Sequence, residues 1–175
     1  PGFLFDTKGS CIFGEEDNLT KFSSLLNSSV ARSFLKILCP TLDFNMVGLR
    51  QVPLNEKVLH DTIVFQKSCV EITRSDWDSY ETSWDFTSLP LLSQDFRSET
   101  LQNTYNFLRI HWQGMTDEML RLEKENNRIF IDAYGLKGEL TPDLLIHEIT
   151  LSCNPAYRYG QKVSKEVQEE RLLED

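Results

Sequence analysis

The chain has 175 residues, of which 40% are hydrophobic and 11% aromatic, and its formal net charge is −9. This length fits one domain or at most two, and eleven Phe, three Trp and five Tyr supply enough apolar surface to exclude disorder of the whole chain. The acidity argues against a nucleic-acid-binding protein of the usual basic kind.

The first elements predicted along the chain are short strands. Phe3–Phe5 and Cys11–Phe13 are apolar runs joined by the turn Thr7–Ser10, a pattern typical of a hairpin or a sheet edge. Val47–Leu54 predicts a short edge strand, because Pro53 is tolerated where a strand has no neighbour to bond. We therefore expect strands at the N-terminal end, packed on a helix.

That helix is predicted between Asn18 and Pro40. A proline cannot continue a helix and restricts the residue before it, so the helix should end at Pro40. Apolar residues recur there every three or four positions and predict one buried face. They are Leu19, Phe22, Leu25, Leu26, Val30, Phe34, Ile37 and Leu38.

Two further helices show a repeat of 3.5 residues, which is typical of a coiled-coil seam. The first seam is Val58, Thr62, Phe65, Cys69 and Ile72. The second is Leu101, Tyr105, Leu108, Trp112, Met115, Met119, Leu122, Asn126, Ile129 and Ala133. The acidic and aromatic stretch Asp76–Phe86 and then Pro90 lie between them, so we predict a long antiparallel helical hairpin.

Gly135 should stop the second seam helix. Beyond it, the alternation in Glu148–Ser152 predicts another short strand. Val163–Asp175 has no sustained apolar face, so we expect this tail to be solvated, frayed, or part of a helix that lacks its partner. The predicted fold class is α+β, mainly helical.

The acidic excess is confined to the second part of the chain. Residues 1–74 contain eight Lys or Arg and eight Asp or Glu, whereas residues 75–175 contain ten and nineteen. A polyanion is therefore expected to contact the first part. The basic residues there include Lys8, Lys21, Arg32, Lys36 and Arg50.

Localisation follows from what the sequence lacks. No run approaches the ~18 apolar residues that span a bilayer, and the chain begins at Pro1 with no Met start and no signal-peptide pattern. We therefore expect a cytoplasmic piece of a longer protein with no membrane contact. The four cysteines form no CxxC pair and the three histidines are not clustered with them. We expect free thiols in a reducing compartment and no metal site.

One stretch is similar to a known catalytic motif. Asn154–Tyr157 is similar to the Asn-Pro-Pro-Tyr motif of amino-methyltransferases, in which Asn and Pro contact the target amino group and Tyr stacks on a flipped base. Its second proline is Ala156, and no glycine-rich cofactor loop precedes it. A simple turn is the competing interpretation. No other catalytic constellation is present.

Three stretches resemble the C-terminal part of PglX-type adenine-specific DNA methyltransferases of BREX phage-defence systems, which are related to fused restriction-modification methyltransferases. The first resembles the end of a target recognition domain and comprises Lys8–Phe13, Leu25–Ser28, Pro40–Phe44 and Val52–Leu54. The others are Asp76–Phe86 and Asn127–Leu136, the latter followed by Glu139–Pro142.

The resemblance implies a parent enzyme that uses S-adenosylmethionine to methylate adenine, with no catalytic or cofactor-binding residue in this piece. Residues 1–54 would end a target recognition domain, 55–135 would form a helical hairpin spacer, and 136–175 would lead towards the next domain. Double-stranded DNA is the expected partner. The candidate DNA contacts are Lys8, Ser10, Asn45 and Arg50, because they lie on turns or loops beside the predicted strands.

A second interpretation is a protein-interaction module. In it, the seam helices and the exposed part of Trp77–Phe86 dock another protein of a phage-defence complex, and DNA contact is incidental. Binding to duplex DNA across a salt series separates the two interpretations.

Overall fold

The computed structural model describes residues 11–40 and 46–174. Within these ranges the secondary structure is eight α-helices and two short 3₁₀ turns, Pro90–Leu92 and Ile146–Glu148, with no β-strand. The helices are α1 (Glu16–Leu26), α2 (Ser29–Leu38), α3 (Met46–Leu49), α4 (Glu56–Asp61), α5 (Ile63–Trp77), α6 (Leu101–Ala133), α7 (Pro155–Arg158) and α8 (Lys165–Glu174).

The predicted α+β fold is therefore wrong, because the described residues are helical. Cys11–Phe13 forms no strand, and Phe3–Phe5 lies outside the described residues. Val47–Leu54 enters α3 and a turn, in which the backbone N–H of Arg50 donates to the Met46 carbonyl oxygen at 3.1 Å. Its backbone groups thus bond locally, and no neighbouring strand is present among the described residues to hold an extended edge.

Buried and more exposed side chains alternate in Glu148–Ser152 as the sequence pattern predicts, but the segment does not form a strand. Ile149 and Leu151 are buried, at 0% and 1% exposure. Leu151 N–H bonds to the Ile149 carbonyl oxygen at 2.9 Å, and Ser152 N–H donates to a carboxylate oxygen of Asp76 at 2.6 Å. A side chain takes the place of a partner strand, so the segment stays irregular.

The single helix predicted before Pro40 is broken at Asn27 and Ser28 into α1 and α2. The Ser28 hydroxyl accepts from the Ala31 N–H at 3.1 Å and caps α2, while Asn27 N–H ends α1 by bonding to the Ser23 carbonyl oxygen at 3.0 Å. The Ser28 side chain thus competes for a backbone group and starts a new helix. The break also places Ile37, predicted to be buried, at 78% exposure.

The chain divides into two compact units. The first comprises residues 1–67 and 124–143, and the second comprises 68–123 and 144–175. The buried core of the first unit is Leu25, Val30, Ala31, Leu35, Cys39, Val52, Leu59, Phe130 and Ile131. The buried core of the second is Met119, Ile149, Leu151 and Cys153, with Cys69, Ile72, Trp112 and Met115 among the residues packed against it.

The long helix α6 spans 33 residues, and the predicted stop at Gly135 is confirmed. Gly135 has a φ of +71°, and Leu136 N–H bonds to the Ile131 carbonyl oxygen at 2.9 Å. In addition, Gly135 N–H donates to the Asp132 carbonyl oxygen at 3.2 Å. The two bonds together form a Schellman motif. None of the described helices combines the length and apolarity needed to cross a membrane.

The C-terminal tail is more ordered than its sequence indicates. Residues Lys165–Glu174 form α8, in which Gln168 and Leu172 are buried. Arg109 of α6 makes two hydrogen bonds of 2.6 Å to the Glu169 carboxylate. Its neighbours within the second unit, rather than its own pattern, therefore hold this helix in place.

Candidate nucleic-acid interface

Helix α2 is fixed on the first unit by its apolar face and by its N-terminal end. Val30 and Ala31 are 0% exposed and Leu35 is 5% exposed. At its first residue, Ser29 N–H donates to the side-chain oxygen of Asn127 at 2.7 Å. This bond and the Ser28 cap satisfy N–H groups that a helix start leaves without partners. The orientation of α2 is thus set by burial and by directed bonds.

The outer face of α2 is basic. Arg32 and Lys36 lie four residues apart, on the same side of the helix, and both are exposed. The ten residues of α2 include no Asp or Glu. Exposed Ile37 adds an apolar side chain next to Lys36. A helix carrying two cations and no acid is suited to contact an anionic surface.

Arg50 lies on the turn that packs against the C-terminal end of α2. A Cβ added to Gly48 would overlap the Cys39 sulfur and would lie 3.3 Å from the Leu38 carbonyl oxygen, so α3 approaches α2 very closely there. Arg50 follows two residues later, with an exposed side chain. We refer to Arg32, Lys36 and Arg50 as the α2 cations.

The residues predicted to contact DNA have different outcomes. Lys8, Ser10 and Asn45 lie outside the described residues. Arg50 is described and exposed, although it follows a helix rather than a strand. Sequence reasoning counted Arg32 and Lys36 only as part of the charge of the first half. The absence of acids from the whole of α2 was the signal that could have placed them on one surface.

Charge differs sharply between the units. The first contains ten Lys or Arg and eleven Asp or Glu, so its net charge is −1. The second contains eight and sixteen, so its net charge is −8. Phosphate contacts depend on local positive charge. The α2 cations therefore lie on the unit with the smaller net negative charge, which repels a polyanion less.

The structure gives Asn154–Tyr157 a structural role. Asn154 is 2% exposed, and its amide nitrogen donates to the carbonyl oxygens of Ile146 and Ile149 at 2.7 and 2.8 Å. Its side-chain oxygen accepts from Ala156 N–H at 3.2 Å and caps α7. A buried asparagine with both amide hydrogens engaged is not accessible to an adenine amino group. These residues do not fit a catalytic site for methyl transfer.

Asp76 is a buried residue whose importance the sequence did not reveal. It is 5% exposed, and its carboxylate accepts from Ser152 N–H at 2.6 Å and Cys153 N–H at 2.9 Å. Burial raises the pKa of the Cys153 thiol well above its usual range, and the charge of Asp76 adds to this shift. Cys153 is therefore a protonated core residue rather than a nucleophile.

The comparisons with known proteins point to one kind of enzyme. No family model matches the chain. It is 35% identical over 150 residues, 81% of its length, to the adenine-specific methyltransferase PglX of Lacticaseibacillus casei (strain Zhang). It is 33% identical over 165 residues, 91% of its length, to the adenine-specific methyltransferase BrxX of Escherichia coli O9:H4 (strain HS). The matches cover 12% and 13% of these curated relatives, so the chain spans about an eighth of their length.

Proposed function

Because this chain is homologous to a segment of the PglX-type adenine-specific methyltransferases, we propose that it forms the DNA-recognition and spacer region of such an enzyme in phage defence. Residues 1–54 end the target recognition domain, 55–135 form the helical spacer, and 136–175 lead towards the next domain. The names of the relatives specify adenine as the methylated base, which supports double-stranded DNA as the substrate of the longer protein and the cytoplasm as its place of action.

This proposal rests mainly on the α2 cations, which are exposed. Arginine and lysine side chains on a helix that is held firmly by its other face are the usual means of binding phosphates and fixing register on a duplex. Arg50 extends this basic surface beyond the end of α2. For base-specific contacts, Lys8, Ser10 and Asn45 remain candidates, because the sequence predicts them on turns or loops.

Methyl transfer belongs to the longer protein. S-adenosylmethionine supplies the methyl group there, and no residue of this chain is assigned to it, because the internal bonds of Asn154 leave that motif unfit for catalysis. This chain contributes binding and orientation of the DNA. We expect the purified chain to transfer no labelled methyl group to DNA.

The test is binding of the 175-residue chain to a duplex of mixed sequence, measured by fluorescence anisotropy across a salt series. Removing a cation that binds one phosphate should reduce the slope of log affinity against log salt by about 0.9. Arg32→Ala, Lys36→Ala and Arg50→Ala each remove one α2 cation, and Lys8→Ala tests the remaining basic candidate.

Arg74→Ala is the matched control, because Arg74 is an exposed cation of the acidic second unit. We expect it to leave the slope unchanged. Absence of binding at about 50 mM salt, where such contacts are strong, would contradict the proposal, as would equal weakening by Arg74→Ala and by the α2 variants.

A further inference from the structure

Residues 78–100, which connect α5 to α6, form an unusually long connection. It has 23 residues and no α-helix, only the 3₁₀ turn Pro90–Leu92. Connections longer than about 12–15 residues without helices or strands are uncommon in compact domains, and the ordered ones are usually functional. This one therefore requires a reason other than joining two helices.

Its first half is held by bonds of its own. The Ser83 hydroxyl is the centre, because it donates to Asp78 at 2.6 Å and accepts from Asp85 N–H at 3.1 Å. Ser83 N–H in turn bonds to the Tyr80 carbonyl oxygen at 2.9 Å. Ser83 is buried at 8% exposure. The backbone conformation is thus fixed without covering the large side chain next to it.

That side chain is Trp84, which is 79% exposed. Trp77 and Leu92 are also exposed, at 51% and 73%. We refer to residues 77–92 as the tryptophan segment. Tryptophan is enriched where proteins bind one another, because it contributes a large rigid contact area. A protein that leaves such side chains in water commonly uses them for binding.

The charge of the segment indicates what it binds. Residues 77–92 contain three Asp or Glu and no Lys or Arg. Glu81 and Asp85 are exposed on either side of Trp84 in the sequence. Aromatic faces attract cations, and carboxylates pair with guanidinium groups through two hydrogen bonds. The ligand that suits both the aromatic ring and the carboxylates is a cation with a flat face. The arginine guanidinium group is such a cation.

Within the second unit, one arginine already contacts an aromatic ring of this segment. The Arg158 guanidinium lies 5.6 Å from the centre of the Tyr80 ring, and it donates to the Tyr80 hydroxyl at 3.4 Å. Tyr80 lies four residues before Trp84. The same acidic and aromatic stretch thus contacts a guanidinium group within the chain and exposes a further, larger ring.

We propose that the tryptophan segment is the docking site for an arginine-rich segment of a partner protein. Trp84 stacks against a guanidinium group, and Glu81 and Asp85 pair with neighbouring arginines. This surface belongs to the acidic second unit, so the proposal does not depend on DNA binding by the α2 cations.

The probe is a synthetic peptide of alternating arginine and glycine with eight arginines, compared with its lysine counterpart of equal charge. Binding to the 175-residue chain is measured by isothermal titration at low salt. We expect the arginine peptide to bind more tightly, and Trp84→Ala to weaken its binding about three- to tenfold, in keeping with a cation–π contact. Glu81→Gln with Asp85→Asn should weaken it further.

The control is Glu166→Gln with Glu170→Gln, which removes the same charge from exposed positions of α8. It should leave binding unchanged, and circular dichroism should show every variant folded. Equal binding of the two peptides, or equal weakening in the control, would identify simple counterion attraction and overturn the proposal. A dimer that becomes a monomer on Trp84→Ala would also overturn it, because a second copy would then be the occupant.

Discussion

The side-chain amide of Asn126 donates a hydrogen bond of 2.9 Å to the Ser24 carbonyl oxygen, 102 positions away in the sequence. This carbonyl lies in the last turn of α1, where helical partners run out. The N–H of Ser28, which would otherwise reach it, bonds to Leu25 instead. The Ser24 hydroxyl also lies 2.7 Å from that of Thr62. The first unit therefore contains directed polar contacts as well as an apolar core.

Replacing Asn126 tests the value of this contact. Asn126→Ala leaves the buried Ser24 carbonyl oxygen without its donor, so we expect the free energy of unfolding to fall by about 1–3 kcal/mol. Urea denaturation measures it. Asn103→Ala makes the same chemical change at an exposed position of α6 and should alter stability by less than about 0.5 kcal/mol. A similar decrease in both variants would contradict this view.

Asp76→Asn tests the carboxylate that takes the place of a strand in the second unit. In this variant the side-chain amide keeps one oxygen as an acceptor, but its NH₂ group faces the other backbone N–H. One of the two backbone N–H groups therefore loses its acceptor. Since hydrogen bonds to a charged group are strong, we expect the free energy of unfolding to fall by about 1.5–3 kcal/mol. Asp85→Asn, at an exposed residue, is the control. An unchanged denaturation midpoint for Asp76→Asn would show that these N–H groups find other acceptors.

Replacing either of two helical glycines with alanine should change the free energy of unfolding, in opposite directions at the two positions. Gly48→Ala places a methyl group against the Cys39 sulfur, and overpacking of this kind costs about 1–3 kcal/mol. Gly114→Ala in α6 meets nothing within 4 Å, so it should stabilise the protein by about 0.5–1 kcal/mol through its higher helix propensity. Thermal and urea unfolding measure both. Cys39→Ala should relieve part of the destabilisation caused by Gly48→Ala.

Alkaline pH should destabilise the protein through Cys69. Burial raises the pKa of its thiol from 9.0 to about 12, and the charges of Glu123 and Glu118 add to the shift. Between these values the unfolded chain loses the thiol proton and the folded chain keeps it, so the free energy of unfolding decreases as pH rises. Below pH 9 the contribution is constant.

Urea midpoints at about pH 8, 9 and 10, which bracket the ordinary thiol pKa, measure this effect. The decrease should be smaller in Cys69→Ala, whatever constant destabilisation the smaller side chain causes. An equally steep decrease in that variant would assign the alkaline sensitivity to other groups.

The long helix and its stop could be predicted from the sequence, because both signals are local. The spacing from Tyr105 to Ala133 repeats without a Pro and ends at Gly135, where an αL conformation is easily adopted. The prediction also included Leu101, which is 70% exposed. Spacing identifies a helix face, whereas burial at its end depends on what packs there.

The strands were predicted wrongly because alternation does not specify a hydrogen-bond partner. Ile149 and Leu151 are buried as the pattern predicts, yet their segment bonds to Asp76, a residue from another part of the chain. No local rule reveals such a contact. The basic face of α2 was missed although its signal is local, because Arg32 and Lys36 were counted within the charge of residues 1–74 and not by their spacing.

Each of the two units draws on two separated stretches of chain, and this constrains any exchange of segments between relatives. A transplant limited to residues 1–54 would leave Asn126, Asn127 and Phe130 behind, although these residues complete the unit that holds α2. A graft that keeps its native interior must carry residues 124–143 as well. A graft of this unit is therefore a matched pair of distant segments rather than one continuous segment.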